Sequence, residues 1–462
     1  MKAERNRQFA KDILVYGIGN IGNKFLVFLL FPVLTFFLER EELGYYDISL
    51  EAILFLLPVV TLQMRESTFR LLIDARDATY RKHILTTTFF IEGTVFAIVL
   101  VIACIIPFFF TIRYFPLIIA SIYAYTLYEL YLQAVRAVYS STRYVIVSCI
   151  SSVLTVAMVA LFYFVFKRGI EALFIGNIIS RMAAILIIEI PRRQIVRDLS
   201  FRFFKRACIR EIFQYSLPMM WTAIAYGFIV LSGKYVVNYY LGTENNGLLA
   251  PAQKYMSIMI ILGTSFHQAW QVTAVNNYKE RGSEKFFSEV FNKYAVALCL
   301  LVVCISFGLR SFKSILMGPV FYPSVDLIYV YCVSTVFFCL ACFLEINYQC
   351  TKQTSKILFS MVSCAILSFP LTIVLTKYYG LTGMITALAI AYVYLFIFRY
   401  FQTKSILPVR INKEFFPAII LLATGGIIFY CTHNRITDYS VLGISSLLLL
   451  YYLLMIKKRM TV

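Results

Sequence analysis

Charged side chains are scarce in this chain of 462 residues. They make up 15% of it, whereas hydrophobic residues make up 60%. About a quarter of the residues of soluble domains are charged, so this composition excludes an ordinary soluble enzyme. The aromatic share of 17% excludes a disordered chain. The mean hydropathy of +0.78 instead indicates a membrane protein.

Residues that usually carry catalysis or bind metals are also few. The three histidines, His83, His267 and His433, lie far apart, and the eleven cysteines follow no ligand or disulfide spacing. No phosphate-binding loop of the Walker type occurs. We therefore expect no catalytic residues, no metal and no cofactor, and a transporter rather than an enzyme.

Long apolar runs, by contrast, are abundant. A helix needs about 20 apolar residues to cross a bilayer, and about fourteen runs meet this length. Since they do not alternate with period two, they predict an all-α polytopic membrane protein rather than a barrel. Six runs precede a basic linker, at 13–38, 45–64, 84–107, 114–139, 144–166 and 170–191. Eight follow it, at 212–241, 248–275, 291–309, 325–350, 357–379, 381–401, 415–432 and 439–456.

The basic residues are distributed unequally among the loops. Lys and Arg number 43 against 24 acids, which gives a net charge of +19. Most of them fall in the N-terminal head, in every second loop and in the C-terminal tail. Because Lys and Arg favour the cytoplasmic side of a membrane, this bias predicts that both termini are cytoplasmic. It also explains the net charge without a nucleic-acid partner.

Weak internal similarity suggests a repeat. At offsets of about 200 to 211 residues, segment 11–16 resembles 210–215, Gly44 corresponds to Gly247, and Gly169 corresponds to Gly380. The matches keep the same order along the chain. They predict two pseudo-symmetric six-helix lobes, residues 1–205 with the basic linker and residues 206–404. An additional transmembrane hairpin follows at 405–462. Lobes of this kind are typical of transporters, with the substrate site between them.

Several charged residues lie inside the apolar runs. A charge at the bilayer centre costs roughly 2.5–3.5 kcal/mol on insertion scales, so it usually faces a cavity or a partner. We interpret the cations as the lining of a cationic cavity for an anionic substrate such as a phosphate. The alternatives are ion pairs between helices and, for the last two cations, side chains that reach the membrane surface. The cations are Lys24, Arg181, Lys234 and Lys254, and the acids, possible coupling or pairing groups, are Glu51, Glu92 and Glu129.

Arg65 and Arg70 follow the second run at its predicted cytoplasmic end. They could gather an anionic headgroup at the mouth of the cavity. They could equally serve only to set the orientation of the helix.

The segments after the first and seventh runs, 37–46 and 240–247, together with 65–70, resemble the polysaccharide flippases of the Wzx type. The resemblance covers essentially the whole chain. The family belongs to the same superfamily as the multidrug MATE exporters and the lipid II flippases. The resemblance implies a MATE-like fold in the bacterial inner membrane. It also implies alternating-access translocation of an undecaprenyl-diphosphate-linked oligosaccharide for O-antigen or capsule synthesis. A polysaccharide polymerase and a chain-length regulator are the partner proteins implied.

In relatives, basic residues on spans 1, 2 and 8 engage the diphosphate. Lys24 and Lys254 match by helix and depth, whereas span 2 carries the acid Glu51 instead. A lipid II flippase and a drug exporter coupled to Na⁺ or H⁺ are alternatives on the same fold. A membrane glycosyltransferase or a glycan polymerase is disfavoured because the predicted outer loops are short.

Overall fold

The computed structural model describes residue 32 and residues 34–460, apart from 75–76, 139–140, 191–193, 281, 352, 414 and 433. This part of the chain is almost entirely helical and contains no strand. The first half holds α1 (Arg40–Val60), α2 (Met64–Asp74), α3 (Ala78–Ile105), α4 (Phe115–Val138), α5 (Ser141–Ala160), α6 (Glu171–Glu189), α7 (Gln194–Asp198) and α8 (Arg206–Leu241). The second half holds α9 (Thr243–Asn277), α10 (Ser283–Ser311), α11 (Lys313–Leu316), α12 (Val325–Cys350), α13 (Thr354–Thr403), α14 (Phe415–Cys431) and α15 (Arg435–Met460).

Nine helical stretches of the described residues are long and apolar enough to cross a membrane. They differ in how much of their apolar surface is buried. Most of α12 is buried inside its unit, whereas only a small share of the apolar stretches of α3 and α15 is buried. Leu100 on α3 and Leu447 on α15 are examples. Exposed apolar side chains along whole helices are expected where lipid replaces water as the solvent.

The long helix α13 contains two predicted spans. The backbone leaves helical geometry at Gly380 (φ 62°, ψ −140°). A side chain at Gly383 would collide with the carbonyl oxygen of Leu375, although residues eight apart in a straight helix are separated by about 12 Å. Farther along, Arg399 Nε donates to Ser360 Oγ at 3.0 Å. The two arms of α13 therefore run antiparallel.

Gly169 and Gly380 share a backbone conformation that ordinary side chains adopt only with strain. Gly169 has a φ of 54° and precedes α6, while Gly380 has a φ of 62°. Glycine adopts positive φ without steric cost because it has no Cβ. Both glycines were matched as repeat positions in the sequence, and both separate consecutive predicted spans.

The described residues divide into two compact units. One contains Ile48–Leu231, and the other contains the residues up to Asp47 together with those from Ser232 onward. The boundaries thus fall within α1 and α8. The predicted division at residues 205 and 404 stays a prediction.

Each unit has its own core. In the first unit, Leu85, Tyr131 and Val135 belong to a buried cluster that joins α2 to α6. In the second unit, the Phe343 ring stacks on Trp270, with centroids 5.0 Å apart. The hairpin α14–α15 belongs to this second unit and is held by the buried ion pair between Arg310 and Asp438.

Candidate functional site

Two arginines from different helices contact one face of α4. Tyr125, Tyr128 and Glu129 share this face because residues three and four apart in a helix are neighbours. Arg65 of α2 places its Nη1 3.2 Å from Oε2 of Glu129. The guanidinium carbon of Arg181, on α6, lies 3.5 Å from the ring centroid of Tyr125 and 5.9 Å from that of Tyr128. The first unit therefore brings Arg65, Arg181 and Glu129 together.

A break between α1 and α2 positions Arg65. Leu62 and Gln63 have φ values of 47° and 52°, which L residues adopt at a cost of about 1–3 kcal/mol each. The amide of Gln63 donates to Thr61 Oγ1 at 3.1 Å and to the carbonyl of Pro58. These bonds hold the two strained residues, and α2 then begins at Met64 in a new direction.

Arg181 is half-buried and contacts only neutral groups among the described residues. Its Nη1 donates to the backbone carbonyl of Asn177 at 2.9 Å and to Asn177 Oδ1 at 2.7 Å. Its Nε is buried and has no hydrogen-bond partner in the part of the chain that the structure describes. A guanidinium carries five N–H donors, and the face of a tyrosine ring attracts the cation. Arg181 thus keeps a full positive charge and unused donors, which suits an anionic ligand.

The three predicted acids differ in their surroundings. Glu129 is paired with Arg65, with 30% of its side chain exposed, and Glu51 is half-buried. Glu92 is 3% exposed, and neither of its carboxyl oxygens has a hydrogen-bond partner in the described part of the chain. Glu92 therefore differs from the other two acids in being fully enclosed, and a charge there without a partner would be costly.

The predicted cations of the second unit are not equivalent. Lys234 is buried, and its Nζ lies 2.5 Å from Oδ2 of Asp47. Asn246 donates to the carbonyl of Lys234. Lys254 is half-buried on α9. The structure thus holds Lys234 in an ion pair within the second unit, and binding of substrate by Lys234 or Lys254 stays a prediction.

The side chains of two predicted cations lie outside the described part of the structure. Lys24 lies outside the described residues. Arg70 lies within α2, but its side chain also falls outside the described part. A metal site is likewise not found, since no His, Cys, Asp and Glu side chains are grouped as metal ligands in the described ranges.

A family model described as "Polysaccharide biosynthesis protein" matches residues 9–270 of the chain. The chain belongs to this family. No curated protein matches it in sequence. The many long apolar helices of the described residues support a multi-pass membrane protein.

Solved structures share the fold of this family member. The lipid II flippase MurJ superposes with a TM-score of 0.75 at 13% identity, over 97% of this chain and all of that chain. An inward-facing multidrug MATE transporter of the MOP superfamily gives 0.63 at 12% identity, over 91% and 96%. A MOP superfamily transporter from Pyrococcus furiosus gives 0.61 at 13%, over 90% and 96%. The predicted all-α, MATE-like fold is confirmed, and the count of fourteen spans stays a prediction.

Sequence reasoning missed several polar residues of this family member. Tyr125 and Tyr128 were not identified, although their spacing from Glu129 offered a signal. The pair between Glu345 and Arg399 was also missed. Arg399 is fully buried, and its Nη1 lies 2.8 Å from Oε2 of Glu345. Two opposite charges within apolar runs were a usable signal for this pair.

Proposed function

We propose that this member of the polysaccharide biosynthesis family flips an undecaprenyl-diphosphate-linked oligosaccharide across the bacterial inner membrane. The observation that carries the proposal is Arg181, a half-buried cation that no carboxylate among the described residues neutralises. A diphosphate offers acceptor oxygens in the geometry that a guanidinium fork matches. Family membership supports a lipid-linked glycan as the molecule that carries the diphosphate.

The chemistry of the site divides the work among three residues. Arg181 binds phosphate oxygens, and the Tyr125 ring, 3.5 Å from the guanidinium carbon, holds that cation and could offer its apolar surface to a sugar. Arg65 is partly neutralised by Glu129, so it contributes less net charge and can exchange its carboxylate for a phosphate. Lys24 and Lys254 complete the cationic set in this proposal. The two predicted lobes then expose the site alternately to each side.

The proposal requires an energy source, for which there are three options. A proton gradient is one option, and the buried carboxyl of Glu92 would then be the group that takes up and releases the proton. A Na⁺ gradient or the membrane potential are the other options. Partner proteins would be a polysaccharide polymerase and a chain-length regulator.

The decisive experiment measures flipping of a fluorescent undecaprenyl-diphosphate oligosaccharide by purified protein in liposomes. Arg181→Ala is expected to lower the flipping rate at least about tenfold, because a hydrogen bond to a charged group contributes about 1.5–3 kcal/mol. Arg181→Lys is expected to recover only part of the rate, since an ammonium lacks the planar fork. Surface glycan in a complemented deletion strain gives the second readout.

Arg168→Ala is the matched control. Arg168 precedes the same helix, and its side chain is 62% exposed beside Glu171, so its loss should leave flipping unchanged. Wild-type flipping by Arg181→Ala at equal membrane abundance would refute the role of Arg181. Lipid II and a cationic drug are tested in parallel in the same liposome assay. If the protein transports one of them and not the glycan, the proposed substrate is wrong.

A further inference from the structure

The segment that follows α6 is docked on α3 rather than hanging as a free tether. We define residues 194–210 as the strap. The Nδ1–H of His83 donates to the carbonyl of Phe203 at 2.7 Å. The amide of Lys205 donates to Thr87 Oγ1 at 3.2 Å. Since both partners lie in the first turns of α3, the strap has a fixed position at one end of that helix.

The acids of the strap and of the adjoining first turns of α8 are already engaged. Asp198 Oδ1 lies 3.2 Å from the Lys82 ammonium, and Glu211 Oε2 accepts a hydrogen bond from the Tyr80 hydroxyl at 2.5 Å. No carboxylate among the described residues is paired with the basic side chains of the strap. All five of these side chains are exposed: Arg197, Arg202, Lys205, Arg206 and Arg210. The strap therefore presents a concentrated positive surface.

An apolar ring projects from the middle of this charged surface. Phe201 is 74% exposed. It packs edge-on against Phe90, with centroids 5.0 Å apart, and Phe90 also contacts Phe204. Phe90 is itself 40% exposed and lies on a candidate membrane span, Ala78–Phe108. The ring of Phe201 thus continues the exposed apolar surface of the span at the level where the cations begin.

We propose that the strap is a binding site for anionic phospholipids of the inner leaflet. Phe201 enters the boundary between headgroups and acyl chains, as aromatic residues at membrane interfaces do. Arg202, Lys205 and Arg206 bind the phosphates around it. Basic residues at this depth are attracted to anionic lipids, and the attraction weakens with salt. The basic and aromatic residues of this site are not those of the proposed transport site, and its test does not depend on transport.

The test uses the full-length protein in nanodiscs that contain 30% phosphatidylglycerol in phosphatidylcholine, and native mass spectrometry counts the lipids that stay bound. The wild type is expected to retain phosphatidylglycerol preferentially, and less of it as salt rises. The triple variant Arg202→Gln, Lys205→Gln, Arg206→Gln is expected to bind it on the order of a hundredfold more weakly, because each cation contributes about a factor of five. An equal neutralisation in the second unit, Lys279→Gln, Lys285→Gln, Lys404→Gln, is the control.

A second pair of variants separates the ring from the charges. Phe201→Ala should weaken retention of phosphatidylglycerol, whereas Phe108→Ala, which removes an even more exposed ring at the far end of the span that carries Phe90, should not. Unchanged retention in the strap triple variant, or an equal loss in its control, would overturn the proposal. Displacement of the lipid by millimolar glycerol phosphate would also overturn it, because the site would then bind free phosphate and not a membrane surface.

Discussion

The cations that the structure places within the apolar helices include two kinds. Lys234, Arg310 and Arg399 are each buried and each form an ion pair, with Asp47, Asp438 and Glu345 respectively. A buried pair owes its stability to both members, because one member alone would leave an uncompensated charge. Arg181 differs, since its described partners are an amide and aromatic rings. This contrast favours structural roles for the first group and ligand binding for Arg181.

The Lys234–Asp47 pair allows these roles to be separated. Lys234→Met alone should destabilise the protein by about 3–5 kcal/mol, because it leaves the Asp47 carboxylate buried without its cation. The double variant Lys234→Met, Asp47→Leu should recover most of that loss, because neither charge of this pair remains. Thermal unfolding in detergent measures both changes.

The same double variant reports on the predicted substrate contact of Lys234. If the lysine serves only the pair, the stable double variant should flip glycan at the wild-type rate. A stable double variant that no longer flips would assign Lys234 to the substrate, as the sequence interpretation has it.

At the scale of helices, α1 and α9 approach each other within the second unit through two glycines. A side chain at Gly44 would lie 2.7 Å from the amide nitrogen of Gly247, and one at Gly247 would collide with the backbone carbonyl of Arg40. Nearby, the guanidinium of Arg40 donates to the carbonyl of Val320 at 2.8 Å. Small residues allow helix backbones to approach this closely, so both glycines are required by the packing.

Gly247→Ala should therefore lower the stability of the protein by about 3 kcal/mol, because the backbone it meets cannot move aside as a side chain can. Gly443→Ala on α15 is the matched control. Apart from the backbone of its own helix, no atom of the described residues would lie within 4 Å of a methyl at Gly443, and alanine favours the helix by up to about 1 kcal/mol. The midpoint of thermal unfolding checks both. A wild-type midpoint for Gly247→Ala would show that α1 and α9 do not require a glycine at this position.

Some of these element features could be predicted from the sequence and others could not. The repeat matched Gly44 with Gly247, and the structure brings these two glycines together. The break at Leu62 and Gln63 had no such signal, because neither residue type favours positive φ. Because the direction of α2 after that break determines where Arg65 lies, the pairing of Arg65 with Glu129 could not be predicted either.

At the scale of the whole molecule, composition and hydropathy sufficed for the fold class, because a bilayer permits so few spanning structures. Arg181 could be found from the sequence because a charge within an apolar run is conspicuous. The partner of each buried charge could not be assigned, since partners come from helices far apart in the chain, as for Lys234 and Asp47.

The orientation of the molecule rests on its loop charges and is testable with reporter fusions. Alkaline phosphatase, which is active only outside the cytoplasm, should be inactive when fused after Gly282, between α9 and α10, and active when fused after Asn434, between α14 and α15. The reason is that basic residues surround the first turn and are sparse at the second. A fluorescent protein, active only inside, should give the opposite pattern, and reversed activities would invert the predicted topology.

The reversal of α13 at Gly380 also limits how the protein can be handled. The chain turns back there without any loop. An antibody fragment therefore has no loop to bind at that position, and an epitope tag or a protease site has no loop into which it could be inserted. An inserted tag would have to displace the paired arms themselves. The longer segment between α13 and α14 is the better place for labels and fiducial fusions.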